Sequence, residues 1–275
     1  MLNELWKDIA DHYNPYLGNM AGPYDRAYAR DMPTHSAIIG QFWWGMFGYD
    51  KAPLPNLGND DLRYDMAQGP SLALLMSTVS ETISHQTKAS LSGSFQGERF
   101  LNKTIREDLT TSVIRNAQAW IGKELMIGAE SLAETINRGK QFTPAIVHWA
   151  SDKTHEPFPY GGWFSLYPTA STISSTVGKN SLTISYPNAT QEGTGLFTWM
   201  IGGMPPQWVL NGNLVDGFTN IPCLKVDVSA PGLEIQPTTY YGNAIYNHFY
   251  YNVTYVVPQG FKGVPTMTFG LKYTC

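Results

Sequence analysis

Apolar residues recur at helical spacing at the start of the chain. Leu2, Leu5, Trp6, Ile9 and Tyr13 follow the i, i+3, i+4, i+7 rhythm of one buried helix face. His12-Tyr13-Asn14-Pro15 ends that helix, because the residue before a proline is driven out of the α region. A second helix is predicted after Pro33-Thr34, with Ile38, Ile39, Phe42, Trp43, Met46 and Phe47 inward, stopped by Gly48 and the Pro53–Pro55 stretch. A third is predicted from about Leu62 to Thr87, with Met66, Leu72, Leu75, Met76, Val79 and Ile83 inward. Pro70 kinks it or marks its real start.

The rhythm changes near residues 100–125. Ser181–Tyr186, Leu224–Val228, Phe249–Val257 and Met267–Tyr273 alternate apolar and polar residues, the period of a half-buried strand. Gln141–Trp149 reads as a strand with an edge or bulge proline at Pro144. The segment Thr111–Glu134 is ambiguous, with strands expected at Ala119–Ile121 and Leu125–Ile127 and a short helix near Ser131–Ile136. Turn residues separate these runs at sandwich-like spacing. The expected fold class is α+β, with residues 1–105 helical and residues 106–275 an antiparallel β-sandwich.

Composition bounds the function. Of 275 residues 43% are hydrophobic and only 15% charged, enough apolar material for sizeable cores. The net charge of -4 offers no basic patch to neutralise phosphates, so nucleic acid is not an expected partner. The apolar runs are too short for a bilayer span. Met1–Asp8 has neither a basic n-region nor an apolar h-region, so no signal peptide is visible. Three sequons, Asn102-Lys103-Thr104, Asn188-Ala189-Thr190 and Asn252-Val253-Thr254, point instead to a secreted glycoprotein. A chain that lost its original amino terminus, through truncation or a short gene model, would reconcile the two. Cys223 and Cys275 either form one disulfide closing the carboxyl terminus or stay unpaired.

Candidate chemistry concentrates in Tyr24-Asp25-Arg26-Ala27-Tyr28-Ala29-Arg30-Asp31. Phenols, guanidiniums and carboxylates are costly to bury unless they pair with each other or with a ligand. Arg26 and Arg30 are four apart and share a helix face if the stretch is helical, with Tyr24 and Tyr28 on an adjacent one. The alternative is structural, with both arginines pairing Asp25, Asp31 or Asp8 and pinning a loop. Helices followed by a large antiparallel sandwich resemble the layout of the α/α-toroid polysaccharide lyases. The Tyr24–Asp31 and Gln141–Trp149 stretches are also similar to a group of uncharacterised secreted fungal proteins. Toroids contain several helical hairpins and only about three long helices are visible here, so the resemblance implies a partial toroid on residues 1–105.

The resemblance implies metal-independent β-elimination on an acidic polysaccharide. Arginine neutralises the uronate carboxylate through its planar fork, and tyrosine serves as base and acid when nearby cations lower its pKa. The catalytic candidates are Tyr24, Tyr28, Arg26, Arg30 and His12, with Asn19, Asp31, Trp149 and Trp163 binding substrate. Trp149 and Trp163 either stack on sugars, with Tyr160, His148 and His155 nearby, or are ordinary sandwich core and rim. Tyr64-Asp65 with Gln68-Gly69-Pro70 lines a cleft or starts a capped helix, and the late tyrosines at 240–251 read as strand packing. A glycosidase pairing Asp25 with Asp31, or Asp31 with Glu98, ranks lower. A non-catalytic secreted binding protein or inactive paralogue is the competing class. No HExxH, CxxC, EF-hand, GxSxG, Walker A or GxGxxG pattern occurs, so neither a metal nor a nucleotide cofactor is expected.

Overall fold

The structure is a computed structural model. It describes residues 2–17, 19–23, 83–92, 95–107, 113–132, 143–150, 162–167, 172–189, 197–203, 216–243 and 248–275. The predicted second helix, and the third up to residue 82, lie outside them.

The amphipathic start forms α1, Leu2–His12. A two-stranded hairpin follows, β1 (Tyr13–Asn14) with β2 (Asn19–Met20). A short helix, α2, spans His85–Ser92. From there the described chain is strand: β3 (Arg99–Glu107), β4 (Val113–Ile121), β5 (Leu125–Leu132), β6 (Ala145–Trp149), β7 (Gly162–Leu166), β8 (Ser174–Gly178), β9 (Ser181–Ser185), β10 (Phe197–Gly202), β11 (Leu224–Ser229), β12 (Glu234–Ile235), β13 (Thr239–Asn243), β14 (His248–Val256) and β15 (Thr266–Tyr273).

The fold class therefore needs correcting. The described residues are mostly β, with two short helices and no helical toroid. Strand structure already begins at Arg99, and β5 continues through Ser131–Leu132, where a short helix was expected. A three-helix rhythm read from apolar spacing does not by itself make hairpins of a toroid.

Two antiparallel sheets share one core. The larger runs β14-β10-β7-β6-β5-β4-β3, with β12 and β13 both pairing the far side of β14. The smaller runs β11-β15-β9-β8. Strand alternation points Ile127, Val147, Phe164, Trp199 and Tyr251 of the large sheet at Leu182, Ile184, Met267 and Phe269 of the small one. Phe164, Trp199, Phe218 and Phe269 interlock with ring centroids 4.8–6.4 Å apart, largely edge to face, the arrangement the ring quadrupole favours. A disulfide joins Cys223, just before β11, to Cys275, just after β15. The two strands are paired neighbours, so the bridge closes the Leu224–Tyr273 end of their ladder.

The opposite face of the large sheet is also covered. Leu17 and Ala21 pack on Ala119, Ile121 and Met126. Asn14 Nδ2 donates to the carbonyls of Gly122 (2.8 Å) and Lys123 (3.1 Å). Arg99 donates through Nε to Asp11 O (2.8 Å) and through Nη2 to Tyr13 O (2.6 Å). Lys103 pairs with Asp8. At the centre, the Gly22 backbone lies in a notch over Gly128, where a Cβ would sit 2.0 Å from the Gly22 oxygen.

That notch gives a stability test. Gly128→Ala places a methyl on main chain that has no side-chain freedom to yield, so overpacking of about 3 kcal/mol is expected, measured by denaturant unfolding. An unchanged midpoint would mean that the amino-terminal segment does not seat there.

Candidate functional site

Strand pairing lines up side chains across the outer face of the large sheet. One row holds Met126, His148, Trp163, Gly202, Tyr250 and Tyr241. The next holds Gly128, Ile146, Ser165, Met200, Asn252 and Thr239. Exposure rises along both. His148, Ser165 and Trp163 are buried, Tyr250 and Asn252 are half-buried, and Tyr241 is 42% exposed.

The buried end holds the costly polar groups. Glu130 receives Arg115 in a two-pronged ion pair, Nη2 to Oε2 at 2.6 Å and Nε to Oε1 shorter still. Both side chains are almost fully buried. A paired fork of this kind satisfies two desolvated charges at once, and removing one partner strands the other. Burial alone lowers the His148 pKa from 6.5 to about 3, because desolvation disfavours the imidazolium.

The exposed end is different in kind. Tyr241 and Tyr250 stack with centroids 4.8 Å apart at 26°. Beside them Asn252 Nδ2 reaches Thr239 Oγ1 at 3.4 Å, and the hydroxyls of Thr198 and Thr254 lie 3.3 Å apart. Thr198, Thr239, Tyr241, Tyr250, Asn252 and Thr254 are all uncharged. Together they form a partly exposed aromatic pair rimmed by hydroxyl and amide groups.

The expected site residues are distributed as follows. Tyr24, Arg26, Tyr28, Arg30 and Asp31 lie outside the described residues, as do Tyr64-Asp65, Tyr160 and His155. His12 ends α1, its Nδ1 donating to Asp8 O at 2.8 Å, and burial lowers its pKa against that bond. Asn19 is buried in β2. Trp149 belongs to the inner core and donates Nε1 to Pro222 O at 2.9 Å, while Trp163 lies buried against Gly202 on the outer face. Neither indole presents a face to solvent, at 1% and 3% exposure. Glu98 is exposed and accepts from Lys179 Nζ at 2.8 Å, which holds its pKa below the usual range. A glycosidase acid needs the opposite shift. Burial raises the pKa of Tyr240, Tyr251 and Tyr255, away from what a general base requires. Asn102 and Asn188 are exposed, on β3 and in the turn after β9; Asn252 is half-buried within β14. The Tyr241–Asn252 surface was missed as a site. Its signal was the Thr239-Tyr240-Tyr241 and Tyr250-Tyr251-Asn252 alternation, which reads equally well as packing.

Residues 97–272 match a family described as a domain of unknown function, DUF8770. The chain belongs to that family. Residues 1–77 match a second domain of unknown function, DUF8769. No curated protein and no solved structure matches the chain. All thirteen strands from β3 to β15 begin within the DUF8770 match, and α1 with its hairpin lies within the DUF8769 match. The two matched regions touch through Asn14, Arg99, Lys103 and the Gly22–Gly128 notch. Among the described residues no three His, Cys, Asp or Glu side chains converge as a metal-binding group, and no helix is long and apolar enough to cross a membrane.

His148 gives this region its pH signature. Its folded pKa lies below the unfolded value, so unfolding takes up a proton between about pH 3 and 6.5. His148 therefore contributes stability fully above 6.5 and loses it as pH falls, at up to about 1.4 kcal/mol per pH unit. His148→Gln is expected to flatten the stability profile across that window, as read by urea unfolding at a series of pH values. An identical slope in both proteins would place the titration elsewhere.

Proposed function

We propose that this is an extracellular glycan-binding protein that holds a carbohydrate on the exposed β13–β14 surface. The observation that carries the reading is the stacked Tyr241–Tyr250 pair beside Asn252 and Thr239. The C–H faces of a pyranose are apolar and fit a phenol ring, while its hydroxyls need short neutral donors and acceptors at the rim. The described residues named on this surface carry no cation, which favours a neutral glycan over a uronate. The extracellular part of the proposal draws support from the disulfide and from two exposed sequons.

Binding is tested by calorimetry against neutral and uronate-rich oligosaccharides. Tyr241→Ala is expected to weaken binding about tenfold, the equivalent of roughly 1.4 kcal/mol of lost stacking, with little dependence on salt. Absence of binding to any glycan would overturn the proposal. Elimination by Tyr24, Arg26, Tyr28 and Arg30 is the second reading, favoured by the residue types in that stretch. The same polymers are followed for absorbance of unsaturated ends. Product that forms with the parent chain and disappears in Tyr28→Phe would make the protein a lyase rather than a binding module.

A further inference from the structure

β3 is an edge of the large sheet, paired with β4 on one side and with no strand on the other among the described residues. An open nine-residue edge is a template for pairing with another chain. Apolar groups make it worse here. Phe100 is 57% exposed and Ile114, on β4, 41%. Alternation and register put Phe100, Asn102 and Thr104 on the same face as Ile114 and Asn116. Charged residues commonly guard such edges, but Arg99 and Lys103 lie on the other face of the strand and are engaged there. Arg99 is bonded to the carbonyls of Asp11 and Tyr13, and Lys103 to Asp8.

Asn102 follows Phe100 on this face, is itself exposed, and begins a sequon whose Thr104 hydroxyl donates to Asn116 Oδ1 at 3.0 Å. We propose that Asn102 carries an N-linked glycan whose role is to cap the β3 edge beside the exposed Phe100. The transfer uses a lipid-linked oligosaccharide diphosphate as donor. The bond from the anomeric carbon to the phosphate oxygen breaks, a bond to Asn102 Nδ2 forms, the amide gives up one proton, and lipid diphosphate leaves. Asn188 is equally exposed and is modified too. Asn252 is spared: its Oδ1 is buried, its Nδ2 faces Thr239, and its strand is flanked on both sides. The inference rests on the extracellular part of the proposed function and is independent of what the β13–β14 surface binds.

The full chain is expressed behind a secretion leader in a eukaryotic host, and occupancy is mapped by peptide mass spectrometry after enzymatic deglycosylation. Asn102 and Asn188 are expected occupied and Asn252 bare. A secreted chain with Asn188 occupied and Asn102 bare overturns this inference alone. A chain bare at every sequon overturns the extracellular reading with it. The capping role is read by light scattering. Asn102→Gln and Thr104→Ala, each of which removes the sequon, are expected to raise the oligomeric fraction several-fold. Adding Phe100→Lys to Asn102→Gln restores the monomer. If neither variant is secreted, the glycan is removed enzymatically from the folded protein and the same rise is expected. Deglycosylated protein that stays monomeric overturns the capping role.

Discussion

The close approach of Gly22 to Gly128 is the contact on which the architecture turns. A sheet in a sandwich ordinarily keeps one face for solvent. Here the main chain of residues 21–22 lies directly on the second face, and only the missing Cβ of Gly128 allows it. The polar bonds around that contact hold the approach. Asn14 satisfies two carbonyls in the β4–β5 turn, and Ala21 N donates to His12 O at 2.8 Å. Arg99 bonds the carbonyls where α1 ends, placing a cation at the negative end of the helix. Burial lowers its pKa, yet a guanidinium stays charged throughout the physiological range.

Burial on both faces then decides what polar groups can do. Arg115 and Glu130 are far from water and bond each other. Such a pair is weak evidence for net stability, because desolvating both ions offsets much of their attraction. It does discriminate against register slips, since moving either strand by one residue would turn a charge into the aromatic core. His148 and Ser165 are similarly enclosed. A ligand-binding surface must be sought where the cover ends, at β10, β14 and β13, where the same rows become half-exposed.

The same distinction explains what could be read beforehand. β9, β11 and β15 of the small sheet alternate buried and open positions, and each was expected from its two-residue rhythm. β7 and β10 were not. All of Gly162–Leu166 and nearly all of Phe197–Gly202 is buried, so no rhythm survives, and glycines opposite Trp149 and Trp163 break the apolar runs further. α1 was legible because a helix packed on one side buries one stripe, seen in the enclosed Trp6 and Ala10. The toroid was inferred from a layout of helix-like spacing followed by strands, and spacing carries no information about what a helix packs against. The candidate site was less legible still. Trp149 and Trp163 drew attention as large aromatics, yet size argues for burial as strongly as for stacking. Tyr241 reached the surface because β13 shares β14 with β12 at the sheet margin, a pairing that no local pattern encodes.

A sheet must end somewhere, and the two ends of this one are built differently. At the β14 side the last ladder is divided between β12, of two residues, and β13, so no long continuous edge is offered. Short edge strands resist pairing with a second chain, which leaves exposed tyrosine there free to act as a contact surface for a small ligand. At the β3 side the edge is long, and two of its basic residues, Arg99 and Lys103, are committed to holding α1. The arginine and lysine that would protect this edge are the ones that close the outer face. The proposed glycan on Asn102, an exposed side chain next to Phe100 on this strand, would add protection there. Fixing the amino-terminal segment and guarding this edge draw on the same strand, and the proposed neutral glycan would cover the edge without disturbing either charge.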